Sequence, residues 1–239
     1  TVTQTPTVAE GAIITYTATL AASAQSAVTV TLSQGQTIVI ASGATSGTAT
    51  ATATDDAYAG GGTYTNRVTA ATGGNFESLA FSTATMTTSL TDDTDVTTLT
   101  LSGGPAAAVE GTTASGYVLS LSNAPQTALT VTLTYAGTAT SGTDYTGVTT
   151  VVIPSGSLTA TFNIAIASDT LTESVENFTV GLGATTGGNF ESLAKVGTRT
   201  TSIYEAKDDY ASVNESALAS GTGAGTKTVS GNVLSNDGG

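Results

Sequence analysis

The chain has 239 residues, with five Lys or Arg against 18 Asp or Glu, and it contains no Cys, His or Trp. Missing Cys and His exclude disulfides, thiolate or imidazole catalysis and the usual zinc sites. A net charge of −13 opposes nucleic acid and anionic membranes, and no apolar run approaches the ~20 residues of a membrane helix.

The first residues already read as strand, as expected of a segment cut from a longer chain, and no signal peptide is visible. Ile14, Tyr16, Ala18 and Leu20 then take every second position, with Thr between them. Val28, Val30 and Leu32 repeat the pattern, and TIVIASGATSG and TATATAT follow before the acidic pair Asp55-Asp56. The string GGNFESL spans Gly73 to Leu79, and the acids Asp92, Asp93 and Asp95 come next. Alternation resumes at Tyr117, Leu119 and Leu121, at Leu129, Val131 and Leu133, and at Phe162, Ile164 and Ile166. Period two over short runs rich in Thr and Val marks half-buried strands, and no stretch has a helical period. The expected fold class is all-β.

GGNFESL recurs at Gly187 to Leu193, so the chain carries two copies of one folding unit. The offset between copies grows from 100 residues at Glu10 and Glu110 to 114 at Gly73 and Gly187. Nearly all the extra length falls between Leu133 and Ile153, where YAGTATSGTDYTG suits a long loop or an extra hairpin. About seven short strands per copy, with Gly, Ser, Asp or Asn turns, fit tandem Ig-like Greek-key β-sandwiches. Residues 1–97 form the first expected domain and 98–207 the second. Residues 208–239 are too few to bury a core and are expected to open a third, truncated domain.

The acids gather at expected strand ends. The first copy holds Glu10, Asp55, Asp56, Asp92, Asp93 and Asp95. The second holds Glu110, Asp144, Asp169, Glu173, Glu176, Asp208 and Asp209. Strand ends of a sandwich converge on two poles, where grouped carboxylates repel unless a cation joins them. Oxygen donors without Cys or His fit Ca²⁺ better than the stricter Mg²⁺. Solvated acidic loops that merely keep the chain soluble are the alternative. Glu77 and Glu191 read as ordinary turn residues of the GGNFESL loop.

The second copy resembles a Calx-beta domain over nearly its whole length. The resemblance rests on Val109-Glu110-Gly111, YVLSLS, LTVTLTYAGTATSGTDY, VVIPSG and the acidic spacing from Asp169 through Glu173 and Glu176 to Phe178. It implies an Ig-like sandwich able to bind Ca²⁺ at one pole through Glu110, Asp169, Glu173, Glu176, Asp208 and Asp209, with Asp144 as a further candidate. The first copy, with TIVIASGATSG, ATGGNFESL and LTDDTDVTTLTL, is similar to extender repeats of giant bacterial repeats-in-toxin (RTX) adhesins. The tail, with KDDY and SGNVLSND, is similar to the start of VCBS or cadherin-like repeats.

Together these resemblances imply an exported extracellular protein of a bacterial cell surface, secreted by the type I route and supporting attachment and biofilm formation. The expected role is that of a calcium-rigidified extender. It would be a monomeric rod whose partners are neighbouring repeats, with host or abiotic surfaces contacted by other domains. One alternative is a glycan- or ice-binding module using Thr48, Thr50, Thr52 and Thr54. A second is a calcium sensor of the Calx-beta type. An enzyme is not expected: Asp55-Asp56 could serve glycoside hydrolysis only beside sugar-stacking aromatics, which are scarce here.

Overall fold

The computed structural model describes residues 1–168 and 174–205; Asp169, Glu173, Asp208, Asp209 and the whole segment 208–239 lie outside the described residues. Every regular element described is a β-strand. The first module contains β1 (Val2–Gln4), β2 (Thr7–Ala9), β3 (Ile13–Thr19), β4 (Val28–Leu32), β5 (Thr37–Ile40), β6 (Ser46–Thr52), β7 (Thr63–Asn66), β8 (Val68–Gly73) and β9 (Met86–Thr91). The second contains β10 (Val96–Gly103), β11 (Ala107–Val109), β12 (Thr113–Leu121), β13 (Leu129–Gly137), β14 (Tyr145–Thr146), β15 (Thr150–Ile153), β16 (Thr159–Ile166), β17 (Glu176–Thr186), β18 (Ser192–Val196) and β19 (Arg199–Tyr204).

The modules are all-β sandwiches with separate cores. In the first, Ile14, Tyr16 and Ala18 of β3 meet Val28, Val30 and Leu32 of β4 and Ile38 and Ile40 of β5. In the second, Leu99 and Leu101 of β10 join Tyr117, Leu119 and Leu121 of β12, with Leu129, Val131 and Leu133 of β13. The alternating residues of the sequence are therefore the buried ones, since the pleat sends every second side chain to one face.

Strands outnumber the expected seven per copy because the opening strand of each module changes sheets. β1 pairs antiparallel with β3, whereas β2 crosses to pair parallel with β9. The break falls at Thr5-Pro6, where proline has no N–H to donate to a ladder. In the second module the break falls at Gly103-Gly104-Pro105 between β10 and β11, and β11 pairs parallel with β19.

The second module has two five-stranded sheets, ordered β14-β16-β12-β10-β18 and β11-β19-β17-β13-β15. The first has three three-stranded sheets, β1-β3-β6, β5-β4-β8 and β2-β9-β7. One cause is Arg67, which separates β7 from β8 where the second module runs a continuous β17. Its N–H donates to Ser33 Oγ at 3.2 Å and to Asn66 Oδ1 at 3.0 Å, both side-chain acceptors. Buried Asn66 also accepts from Ser33 Oγ and donates to Gln36 Oε1, each at 2.9 Å. The ladder is thus exchanged locally for a side-chain network that pairs the Arg67 N–H and the buried Asn66 amide.

The insertion in the second module builds β14, which pairs with the end of β16. It also supplies the core with rings. Tyr145 stacks on Phe178 at 4.6 Å and meets Tyr135 at 5.5 Å, centroid to centroid. The Tyr135 hydroxyl donates to Val148 O at 2.9 Å, and burial pushes its pKa up to about 12.

Candidate metal centre at the junction of the modules

Glu10 sits in the turn between β2 and β3, at the pole where β6 and β9 also end. Its N–H donates to Thr91 O at 3.0 Å, and its side chain is only 7% exposed. Gly11 follows in the left-handed region, at φ 68°, and a Cβ there would lie 3.4 Å from the Asp55 carboxyl group. After β6 the chain turns through Asp55-Asp56-Ala57-Tyr58-Ala59-Gly60. Asp56 Oδ1 accepts from Tyr58 N–H at 2.8 Å, an Asx-type turn that aims the Tyr58 ring away from the first module's core. Asp92 Oδ2 accepts from Gly60 N–H at 3.0 Å, tying the exit of β9 to the same loop.

The second module closes onto this pole with its own GGNFESL turn. Tyr58 and Phe190 form an antiparallel bridge. Ala59 N–H donates to Asn189 O at 3.0 Å and Glu191 N–H donates to Ala57 O at 3.3 Å. The two rings stack at 5.9 Å, and the Tyr58 hydroxyl donates to Ala124 O at 2.6 Å. Glu191 Oε2 accepts from Asp95 N–H in the linker.

Two carboxylate clusters result. Glu10, Asp56 and Glu191 bring one oxygen each within 4.8 Å of one another, and Asp55, Asp93 and Asp95 do the same. The first cluster draws on both modules and the second joins the Asp55 loop to the linker. Glu10 Oε2 and Glu191 Oε1 are buried with no hydrogen-bond partner among the described residues. Burial raises the Glu10 pKa above its usual 4.5, assisted by the charges of Asp56, Asp92 and Asp93. Asp55 is exposed, yet partial desolvation raises it above 3.8, with the charges of Asp95, Asp93 and Asp56 adding to it. At Glu191 the hydrogen bond from Asp95 N–H lowers the pKa, but burial and the charges of Asp92 and Asp93 outweigh it.

This donor set fits a hard cation. Oxygens that hold one Ca²⁺ from opposite sides lie about 4.8 Å apart, twice the ~2.4 Å ligand distance. A buried carboxylate oxygen without a donor costs free energy that a bound cation removes. Neither His nor Cys is present to recruit a softer metal.

Of the sequence candidates, Glu10 and Asp56 fall in one cluster and Asp55, Asp93 and Asp95 in the other, while Asp92 braces Gly60 from beside them. Glu191, read from sequence as a turn residue, is a full member of the first cluster. Glu77, its counterpart in the first copy, is exposed and belongs to neither. At the far pole of the second module, Glu110, Asp144 and Glu176 line one small recess with Ser174, Ile203 and Glu205. Asp144 accepts from Thr140 N–H there, and Glu205 Oε1 is buried with no hydrogen-bond partner among the described residues. Sequence reading missed Glu205, which directly follows β19.

Comparison with known families divides the chain at this junction. Residues 1–94 match the LapA domain, of a bacterial adhesin family, and residues 92–209 match the Calx-beta domain. Together the two matches support an adhesin-like protein with a Calx-beta module. Among solved structures, the chain is similar to the apo-form Calx CBD1 domain, at 19% identity and a TM-score of 0.39, over 47% of this chain and 100% of that one. It is also similar to CBD12 from CALX1.2, at 12% identity and TM-score 0.35, over 84% and 98% of the two chains. The calcium binding domain CBD12 of CALX1.1 aligns at 11% identity and TM-score 0.35, over 85% and 99%. No curated protein matches the chain.

Proposed function

We propose that this chain is an extender segment of a secreted bacterial surface adhesin, stiffened by Ca²⁺ at the junction between its modules. The observation that carries the reading is the Glu10, Asp56 and Glu191 cluster, which draws carboxylate oxygens from both modules, while Glu10 and Glu191 each keep one buried oxygen with no hydrogen-bond partner among the described residues. A bound Ca²⁺ would supply the positive charge that these oxygens lack. Glu10 and Asp56 offer oxygens from the first module and Glu191 from the second, so a shared cation would fix the angle between them. Asp55, Asp93 and Asp95 would hold the linker in the same way. Without a cation these carboxylates repel and favour an open junction. The far-pole acids Glu110, Asp144, Glu176 and Glu205 are suited to repeat the arrangement towards a following domain.

A segment of this kind works by length and stiffness. Its partners are neighbouring repeats of the same chain, and contact with a host or abiotic surface falls to other domains. It catalyses nothing, and its place is the extracellular face of the bacterium after type I secretion, where it supports attachment and biofilm formation. Small-angle scattering with and without EDTA tests the reading. The maximum dimension should become sharply defined in millimolar Ca²⁺ and broaden on chelation, and Glu191→Gln should remove the difference. Identical scattering in both conditions would overturn it.

A specific observation favours one other reading, a flat binding face. Thr3 of β1, Thr17 of β3 and Thr48 of β6 stand in register across three strands, and Thr15 and Thr50 form a second rank. Such ranks could order water against ice or a glycan. Ice-affinity partitioning and a glycan array test this, and Thr48→Lys with Thr50→Lys should abolish any retention.

A further inference from the structure

Both copies of GGNFESL adopt one conformation, yet among the described residues only the second is used at a junction. Gly73, Gly74 and Asn75 have φ of 93°, 82° and 56°, and Gly187, Gly188 and Asn189 have 88°, 88° and 61°. Each Asn side chain donates to a Gln, Asn75 to Gln25 at 3.0 Å and Asn189 to Gln126 at 2.6 Å. Each Gln N–H donates to the second glycine of its turn, at 3.1 Å in both copies. The second copy engages Ala57, Tyr58 and Ala59 through Asn189, Phe190 and Glu191. In the first copy the same edge, Asn75 and Glu77 on either side of half-buried Phe76, is exposed.

The neighbouring strands point the same way. Gln4 pairs with Tyr16 as Gly103 pairs with Tyr117, which puts Thr1 in the position of Thr100. In the second module Val96–Leu99 lie before that position and pair parallel with Ser192, Leu193, Ala194 and Lys195. The matching residues of the first module, Ser78 to Phe81, form no strand, and Phe81 is 42% exposed. Beside them lies an apolar slot lined by Val2, Leu20, Val30, Leu79, Phe81 and Met86.

We propose that this end of the first module is a docking surface for the opposite end of another module of the same kind. The incoming Asp55–Gly60 loop bridges Asn75 to Glu77, with its Tyr58 stacked on Phe76. The incoming linker strand, equivalent to Val96–Leu99, pairs parallel with Ser78 to Phe81 and closes the apolar slot. The occupant is fixed by the junction already present, which shows what this turn binds when its partner is there. The docking rests on backbone bridges and ring stacking, so it stands apart from the cation reading.

The test joins residues 1–99 ahead of Thr1 of the full chain, which keeps the strand register. Tyr58→Cys in the added copy and Phe76→Cys in the following copy place two thiols in an otherwise cysteine-free protein. The Tyr58 and Phe190 bridge is a non-hydrogen-bonded pair, with Cα atoms expected about 4.5 Å apart, within disulfide range. Tyr58→Cys with Phe190→Cys in the original chain is therefore the benchmark. The new pair should oxidise at a rate comparable with the benchmark, and about a hundredfold faster than added-copy Tyr58→Cys with following-copy Thr48→Cys, through high effective concentration. A rate no higher than that of the Thr48 control would overturn the proposal. A cysteine-free version gives an independent readout by limited proteolysis. Cleavage after Phe81 should persist in the added copy and be lost in the following one, whereas equal cleavage in both would overturn it. Running both in EDTA separates docking from calcium: docking that survives chelation leaves this inference standing even if the cation reading fails.

Discussion

Tyr58 and Phe190 belong to different modules, yet their rings stack with planes 24° apart on a two-residue antiparallel bridge. This contact flanks Asp56 and Glu191, two members of the first carboxylate cluster. Phe190→Ala should therefore loosen the junction while leaving both cores folded. Loss of a stacked aromatic pair costs about 1 kcal/mol beyond its buried area. Calorimetry should resolve two transitions in the variant where the parent gives closer coupling, and scattering should report a wider range of dimensions.

Glu10, Asp55 and Glu191 all have raised pKa values, so the folded junction favours their protonated forms. The stability this contributes is complete below the ordinary values of 3.8 and 4.5 and disappears as pH climbs through the raised ones. In EDTA, junction stability should fall as pH rises from 4 towards 7. In Ca²⁺ the slope should reverse, because the ion competes with protons for the same oxygens. Melting curves across pH in both buffers check the sign, and Glu10→Gln should flatten both slopes.

Extracellular Ca²⁺ sites commonly have dissociation constants of ~10⁻⁴–10⁻³ M, so millimolar Ca²⁺ should add about 0.5–1.5 kcal/mol per site. Asp93→Asn and Glu191→Gln disable different clusters, and their losses of calcium-dependent melting should add. A double variant no worse than either single one would mean a single shared site.

Gly187→Ala isolates the requirement of the shared turn. A Cβ there would lie 2.1 Å from Ala128 O, a backbone atom that cannot swing aside. Gly35 has a similar φ of 89° but nothing within 4 Å of its Cβ. Gly35→Ala should cost about 1 kcal/mol, the left-handed penalty alone, and Gly187→Ala about 3 kcal/mol or more. Urea denaturation of both variants gives the difference.

The inserted segment is tested at Tyr145, whose ring is 3% exposed between Tyr135 and Phe178. Tyr145→Ala should destabilise the second module by about 3–5 kcal/mol and leave the first module's transition in place. Equal loss in both modules would mean that their cores are coupled.

Much of the fold was legible because pleating turns burial into alternation. Ile14 to Leu20 and Tyr117 to Leu121 could be read as strands from their spacing alone. The insertion was legible as an offset between copies, but its ring cluster was not, since Tyr135 and Phe178 meet only through the pairing of β13 with β17. Cross-strand register also hid the Thr3, Thr17 and Thr48 rank. At the candidate site the acids of the first copy were visible as groups near strand ends. Glu191 was not, because it shares its heptapeptide with Glu77, and seven identical residues carry no sign of which copy has a neighbour. The difference lies in the Ala57-Tyr58-Ala59 segment more than 130 residues away.

The parallel pairing of β2 with β9 has a mechanical consequence. β2 follows the opening strand β1, and the chain leaves the module through β9, so tension that reaches β2 pulls it and β9 in opposite directions along their own axes. The hydrogen bonds between Thr7, Val8 and Ala9 and their partners Ser89, Leu90 and Thr91 are then sheared together and cannot unzip one at a time. β11 and β19 repeat the geometry in the second module. Each module thus holds, behind its opening strand, a clasp that must yield all at once.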